Sequence, residues 1–291
     1  MIRKIKPEDK SPVLEIASKI WEGDDYLPQV FDEWIKDPNG VFAGLWENEI
    51  LIGFGHLKYL TPTDIWLEGL RKDPDLNVKG VGEKLSHYYL KILKKNPNIS
   101  SVRFSTYFDN NASIRLNEKL GFKKILYLSH KELGLEKVEK SHVHSNLKIA
   151  KDFNRIQKYV ENSSFLKLSK NFICKGWTVY PYSRELLKQF YNQEQIFSFQ
   201  ENNVIKGVAI YSKVKYKDIF WISFLEAENE LVYAELLQYL INLAKNQKKK
   251  NIEINLPDFP KLKKICEKYK FKSWKQENDF LLYELPLEII K

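Results

Sequence analysis

Gly80 and Gly82 follow an apolar segment in the first third of the chain, and their spacing is suited to binding a phosphate group. Gly80 and Gly82 lie where a helix is predicted to begin, and Ile65–Leu70 before them has the apolar content of a strand. Glycine lets the backbone approach a ligand closely, and the N–H groups and partial positive charge of a helix N-terminus favour a phosphate. Lys79 and Lys84 add cationic charge. The same residues also fit an ordinary strand–turn–helix connection.

A second motif further along the chain has the pattern of a short helix that ends in Gly-Phe. It reads Asn110-Asn111-Ala112-Ser113-Ile114-Arg115-Leu116-Asn117-Glu118-Lys119-Leu120-Gly121-Phe122. Together with the turn Asn77-Val78-Lys79-Gly80-Val81-Gly82, this motif resembles the GCN5-related N-acetyltransferase (GNAT) family. The resemblance covers residues 1–128. It implies an α/β fold with a mixed, mostly antiparallel twisted sheet flanked by helices, and acetyl-coenzyme A as co-substrate.

The resemblance also implies a cofactor site, position by position. Backbone N–H groups from Val78 to Gly82 would hold the pyrophosphate, and the strand backbone at Leu70 and Lys72 would hydrogen-bond the pantetheine arm. The full set implied for the cofactor is Leu70, Lys72, Asn77, Val78, Lys79, Gly80, Val81, Gly82, Glu83, Asn110 and Asn117.

Two of these positions depart from the family pattern. Asn77 stands where the family has Gln or Arg, and Asn117 stands where it usually has a tyrosine that is assigned as the general acid. An amide is not a practical acid, so Asn117 could only hydrogen-bond the cofactor. Water or another residue would then protonate the thiolate. Tyr107 is the spare candidate acid, and a core tyrosine is its alternative interpretation.

Transfer of an acetyl group to an amine needs a base that removes the amine proton. Glu68 is the first candidate, because a period of two places it on one strand face with Leu70 and Lys72. A carboxylate paired with a surface lysine is the alternative. His56 on the neighbouring strand is the second candidate, because a neutral imidazole titrates in the useful range. A hydrogen-bonded core histidine is the alternative for His56.

The region Trp21–Pro28 carries aromatic and acidic side chains that could hold an amine or ammonium group. The candidate substrate residues there are Asp24, Asp25 and Tyr26. Helix capping by an aspartate and burial of the aromatics are the alternative. The resemblance implies an acceptor site in this region, and the pattern is similar to a subgroup that acetylates free amino acids. We therefore expect a small-molecule amine as acceptor.

The elements that must position these residues follow from the local patterns. Val41–Trp46 and Ile50–Tyr59 are predicted to form a hairpin. A helix is predicted from Gly80 to about Lys95, and Val102–Phe108 is the next strand. The resemblance implies that this strand diverges from the central strand, which contains Ile65–Leu70, and leaves a gap between the two for the thioester arm.

The second half of the chain repeats the order of the first at an offset near 150 residues. For example, Asp218–Trp221 mirrors Asp64–Trp66, and Glu267–Phe271 mirrors Glu118–Phe122. The predicted organisation is an acetyltransferase domain at 1–128, a linker at 129–156 and a degenerate second GNAT-like domain at 157–291. The second copy has the turn Glu226–Leu231, with no glycine and three carboxylates, so we expect it not to bind coenzyme A.

Composition excludes several other classes of protein. The net charge of +9 alone would suggest a nucleic-acid partner. The charge comes from lysines mixed with acidic residues, a pattern that favours a solvated surface instead. The two cysteines and the histidines lack metal-ligand spacing, and no metal site is expected. The two cysteines lie far apart in the sequence, which favours a reducing cytoplasm, and no segment resembles a signal peptide or a membrane span. A monomer and a homodimer both fit the sequence.

The function expected from these observations is acetyl transfer from acetyl-coenzyme A to a primary amine. Two alternatives remain within the same resemblance: a non-catalytic acyl-coenzyme A sensor, motivated by Asn117, and an acetyltransferase that acts on a protein amine.

Overall fold

The computed structural model describes residues 1–139 and 146–289, which form two compact units. The first unit contains residues 1–106, residues 110–125 and the C-terminal residues from 282 onward. The second unit contains residues 107–109 and 126–281. The chain thus leaves the first unit before that unit is complete, and the C-terminal residues of the chain return to the first unit.

The first 122 residues form five strands and four helices. In chain order these are β1 (Ile2–Lys4), α1 (Lys10–Ser18), α2 (Leu27–Lys36), β2 (Val41–Glu47), β3 (Ile50–Tyr59), β4 (Asp64–Lys72), α3 (Val81–Leu93), β5 (Ser101–Tyr107) and α4 (Asn111–Lys119). The strands lie in the order β1-β2-β3-β4-β5 and pair antiparallel, except for the parallel pair β4–β5. The predicted hairpin, now β2–β3, is confirmed.

The strands β4 and β5 diverge from each other soon after they begin. They pair only over Asp64–Trp66 and Ser101–Arg103, so the remaining parts of both strands leave an opening between them. The aromatic and aliphatic residues of α1, α2, β2 and β3 form one buried cluster, which includes Phe31, Trp34 and Phe54. This cluster fixes α1 and α2 against one face of the sheet.

The rest of the chain forms nine strands and five helices in the described ranges. In chain order these are β6 (Lys123–Gly134), β7 (Leu147–Ile149), α5 (Phe153–Glu161), α6 (Ser164–Leu168), β8 (Phe172–Lys175), β9 (Thr178–Pro181), α7 (Arg184–Asn192), β10 (Ile196–Glu201), β11 (Val204–Ser212), β12 (Ile219–Ala227), α8 (Glu230–Asn246), β13 (Asn251–Leu256), α9 (Pro260–Lys268) and β14 (Phe280–Glu284). The sheet of the second unit has the strand order β6-β13-β12-β11-β10-β7, and β8 and β9 form a separate hairpin.

The second unit repeats the order of the first, as predicted. The series β10-β11-β12-α8-β13-α9 corresponds to β2-β3-β4-α3-β5-α4, and the pair β12–β13 is parallel like β4–β5. The strand β10 begins 155 residues after β2, and α9 begins 149 residues after α4. The same order of six elements, at an offset of 149 to 155 residues, shows that the two units share one fold.

The structure differs from the sequence prediction in the stretch 129–156. The strand β6 continues to Gly134, β7 follows, and α5 begins at Phe153; residues 140–145 lie outside the described residues. Polar side chains caused the difference: Ser129, His130 and Lys131 are buried in β6, so the strand lacks the apolar alternation that sequence reasoning needs.

The C-terminal residues also differ from the prediction, which placed them in the second domain. From residue 282 onward they belong to the first unit, where the N–H of Leu285 donates to the carbonyl of Val102 at 2.9 Å and Arg103 pairs with Glu284. No helix in the described ranges has both the length and the apolar surface needed to cross a bilayer.

Candidate active site

The helix α3 begins at a glycine turn that leaves its first N–H groups without a side-chain cap. Gly80 is the N-cap residue, with a φ of 73° in the left-handed region that favours glycine. No atom lies within 4 Å of the position that a Cβ of Gly80 would occupy, so the turn faces open space. The first turn of this helix therefore presents backbone N–H groups and the positive end of the helix dipole to solvent.

Gly82 has the opposite environment, because it lies in a tight helix contact. A Cβ on Gly82 would lie 2.8 Å from Cδ2 of Leu116 and 3.3 Å from Cδ2 of Leu70. Glycine at this position lets α3 approach α4 and β4. Next to it, Glu83 accepts hydrogen bonds from Lys119 at 2.8 Å, which lower the pKa of the carboxyl. The two predicted glycines thus have different structural roles, one at the open turn and one in packing.

The corresponding turn of the second unit is capped by its own side chains. The Oδ1 atom of Asn229 accepts hydrogen bonds from the N–H groups of Leu231 at 3.0 Å and Val232 at 3.1 Å. Glu226 lies at the same turn and accepts from the N–H groups at the start of α6, at 2.9 Å and 2.6 Å. At the start of α8 the donors that a phosphate would use are already bonded within the protein.

The strand β4 contains a bulge at Gly69 and Leu70. Both residues lie opposite the single residue Gly55 of β3, and Gly69 has a φ of 66°. A bulge adds one residue to the strand and reverses the alternation of its side chains. Glu68 and Arg71, which flank the bulge, therefore point to the same face of the sheet.

The expectation that Glu68 shares a face with Leu70 and Lys72 was wrong for this reason. Glu68 points to His56, whereas Leu70 points towards Gly82 of α3 on the other side of the sheet. The glycines at positions 55 and 69 were the available signal, because a glycine inside a strand indicates a bulge or a close backbone contact.

The side chains of Glu68 and His56 form a buried pair. The Nδ1 atom of His56 lies 3.2 Å from Oε1 of Glu68, and the side chains are 0% and 9% exposed. The His56 ring stacks on Trp34 of α2, with 4.4 Å between centroids and 17° between planes. Trp34 also lies against Gly69, where a Cβ would overlap its ring. The pair is therefore held in place by the bulge and by α2, and its carboxylate can accept a proton.

The carboxylate of Asp25 is already bound within the protein. Its side chain is 1% exposed, and Oδ1 accepts from the N–H of Leu27 while Oδ2 accepts from Nε of Arg71, at 2.9 Å and 2.7 Å. The Arg71 guanidinium lies 4.4 Å above the Trp21 ring. Asp25 therefore caps α2 and pairs with Arg71, a residue that sequence reasoning missed. Asp24 is exposed.

The surface beside this pair has an unusual backbone. Trp21, Glu22 and Gly23 have consecutive φ values of 48°, 58° and 90°, and Trp21 is 59% exposed. Left-handed backbone in non-glycine residues is costly and is concentrated at functional sites. Tyr26 is half-buried, 6.2 Å from Trp34 and 5.5 Å from the Arg71 guanidinium. These aromatic residues form the surface that carries the predicted acceptor positions.

The remaining predicted residues lie in helix α4 and at its N-terminus, in the second unit, and between the end of β4 and α3. Asn110 caps α4 through a hydrogen bond from the N–H of Ser113 at 3.2 Å. Asn117 is buried, and its amide donates to the carbonyl of Ser113 at 2.8 Å. Tyr107 lies in the second unit, 5.4 Å from Trp274, and burial raises its pKa, which makes it a weaker acid. Lys72, Asn77 and Lys79 are exposed.

Comparison with known proteins agrees with this geometry. Residues 10–122 match the model of the acetyltransferase (GNAT) family. No curated protein sequence has a significant match. A GCN5-related N-acetyltransferase from Sphaerobacter thermophilus is 10% identical, with a TM-score of 0.67, and the match covers 98% of this chain and 94% of that chain. A tandem GNAT protein from the clavulanic acid biosynthesis pathway is also 10% identical, with a TM-score of 0.64 and 98% and 97% coverage.

At such identities the structural similarity is evidence of the fold, and the family match adds the acetyltransferase class. Both similar structures extend over nearly the whole chain, including the second unit. Residues 10–122 therefore form an acetyltransferase domain of the GNAT family, and the whole chain has the fold of a tandem GNAT protein, with a second GNAT-like unit after the first.

Proposed function

We propose that the protein transfers an acetyl group from acetyl-coenzyme A to the primary amine of a small molecule, with free amino acids as the first class to test. The observation that carries this proposal is the uncapped N-terminus of α3 at Gly80, directly after the bulged strand β4. Backbone N–H groups from Lys79 to Gly82 would bind the pyrophosphate, and the exposed ammonium of Lys79 would add charge. The predicted donor Val78 is excluded, because its N–H already donates to the carbonyl of Leu76 at 2.9 Å. The opening between β4 and β5 would admit the thioester arm.

The chemistry is a direct displacement. The neutral amine nitrogen attacks the thioester carbonyl carbon, a C–N bond forms, and the C–S bond breaks. The amine proton passes to Glu68, directly or through a water molecule, and the thiolate takes a proton from water or from another acid. Glu68 is suited to the role of base because His56 and the bulge fix its carboxylate. The same face carries Trp21 and Tyr26, against which the acceptor would bind.

A second candidate function is a sensor that binds acyl-coenzyme A without turnover. It is favoured by Asn117, which stands at the usual position of the acid and directs its amide to its own helix. Transfer to a protein amine is a third candidate that differs only in the acceptor. Product formation with small amines separates the proposed function from these two alternatives.

The first experiment is a thermal-shift titration with acetyl-coenzyme A. Ligand at about 100 times its dissociation constant stabilises the native state by about 2.7 kcal/mol. The structure suggests Lys79→Glu as the variant, because Lys79 is exposed, whereas a side chain at Gly82 would overlap Leu116. Lys91→Glu is the matched control: it lies in the last turn of the same helix and is also exposed.

We expect Lys79→Glu to need about ten times more acetyl-coenzyme A than the wild type for the same shift in melting temperature. Lys91→Glu should give the same shift as the wild type at each concentration. Equal shifts in all three proteins would remove the α3 turn as the binding site. No shift in the wild type would refute both the enzyme and the sensor. A shift without acetylated product from any small amine would favour the sensor or a protein acceptor.

A further inference from the structure

The sheet of the second unit carries two carboxylates directly opposite each other. In the antiparallel register of β6 and β13, Glu132 pairs with Glu253 and His130 pairs with Asn255. Like charges in opposite positions destabilise a sheet, and a buried carboxylate is costly unless it is paired. The Glu253 side chain is 4% exposed, so a positive charge beside the two carboxylates would offset a large part of this cost.

The imidazole of His130, on the same strand as Glu132, directs a lone pair towards these carboxylates. The Nδ1 atom of His130 lies 2.9 Å from Oδ1 of Asn255, which is an acceptor, so Nδ1 carries the hydrogen. The Nε2 atom is then the acceptor of the ring. It is fully buried, has no hydrogen-bond partner among the described residues, and lies 3.6 Å from Oε2 of Glu253. Two acceptors that face each other in a buried site are suited to a shared cation.

The nearest lysine in the sequence does not supply this charge. Lys131 lies between the two β6 residues, but strand alternation directs it to the opposite face. Its ammonium donates to Glu277 and to Oγ of Ser273. The Lys131 ammonium is therefore directed away from His130 and the two carboxylates.

We propose that His130, Glu132 and Glu253 bind a divalent metal ion of the zinc class. One ligand atom from each residue lies within 4.8 Å of the other two. Ligands around a tetrahedral Zn²⁺ with bonds of about 2.0–2.1 Å are about 3.4 Å apart, so small side-chain rotations close the site. Three protein ligands would leave the fourth position open to water or to a small ligand.

Other side chains orient these ligands as outer partners of a metal do. Asn255 fixes the tautomer of His130, and Nε1 of Trp274 donates to Oε2 of Glu132 at 3.0 Å. The rings of Trp177, Trp221 and Trp274 have centroids 5.7 Å, 5.8 Å and 4.4 Å from that of His130. These apolar rings lower the local polarity around the imidazole, which would strengthen the attraction of the carboxylates for a cation. All of these residues lie in the second unit, so the proposed metal site does not rest on the proposed acetyl transfer.

The test uses the full chain after treatment with EDTA and dialysis. We expect calorimetric titration with Zn²⁺ to give one ion per chain, and Co²⁺ to give the intense visible absorption of a tetrahedral complex. Glu253→Gln and Glu132→Gln keep the shape of the side chain and remove the charge. Each should weaken Zn²⁺ binding at least tenfold, and the double variant should abolish it, while near-ultraviolet circular dichroism stays native.

Two control variants separate the site from surface binding. Glu228→Gln removes an exposed carboxylate of the same unit, and His87→Gln removes the exposed partner of Glu83 on α3. Both should leave the stoichiometry at one. The proposal is overturned if the wild type binds no Zn²⁺, if the double variant binds it as tightly as the wild type, or if His87→Gln alone removes the binding.

Discussion

Replacing Glu68 with glutamine tests whether the buried carboxylate is the base of the reaction. General-base catalysis contributes about 10²–10⁴-fold to a rate, which corresponds to about 3–5 kcal/mol of transition-state stabilisation. Glu68→Gln should lower kcat by that factor. The KM for acetyl-coenzyme A should change little, because the proposed cofactor contacts lie at the N-terminus of α3. A continuous assay of thiol release with the best amine acceptor measures both constants.

The fold should tolerate this change, which makes the activity result interpretable. Glutamine can keep the hydrogen bond with Nδ1 of His56, now 3.2 Å long, as a neutral bond in place of a charged one. The difference is about 1 kcal/mol, a loss of about 2–4 °C in Tm. Glu33→Gln on the exposed side of α2 is the matched control. A kcat within threefold of wild type for Glu68→Gln would refute the assignment of Glu68 as the base.

Two further predictions concern the stability of the first unit. Asp25→Asn removes the charge of one partner in the buried pair with Arg71 and should lower the free energy of unfolding by about 3 kcal/mol. The control Asp24→Asn, on the exposed surface, should lower it by at most about 0.5 kcal/mol. Thermal denaturation measures both values. The hydrogen bonds from Arg3 hold the pKa of Asp9 below its ordinary 3.8, so this carboxylate stabilises the fold fully above that pH and progressively less below it. The Tm of Asp9→Asn should therefore be lower than that of the wild type at pH 7, and the two values should converge as the pH falls below about 4; a constant difference would contradict the assignment.

Local sequence patterns were sufficient where one residue determines the backbone. Gly80 is required by the left-handed turn before α3, and Asn110 caps α4 as its position predicts. The face of Glu68 could not be predicted in this way, because the period of two assumes an uninterrupted strand. The bulge at Gly69 depends on the register against Gly55, and register is a property of two strands that no single segment shows.

Buried polar residues explain the other failures of sequence reasoning. The sequence predicts a linker from residue 129, where β6 in fact continues to Gly134, because His130 and its neighbours are polar. A hydrophobic pattern does not identify a strand whose buried side chains are polar. The histidine meets Glu253 from a strand more than one hundred residues away. Metal-ligand spacing can be recognised only when ligands are close in sequence, so the absence of a spaced motif says little about ligands that different strands bring together.

The return of the chain to the first unit at residue 282 has a consequence for synthesis on the ribosome. Residues 283–285 supply contacts to β5 and α4: the Tyr283 ring stacks on Phe104, and its hydroxyl donates to Glu118. The first unit is therefore still missing a strand while the ribosome produces the second. A nascent chain would hold an exposed sheet edge through this interval, and the acetyltransferase unit would mature last although its residues emerge first.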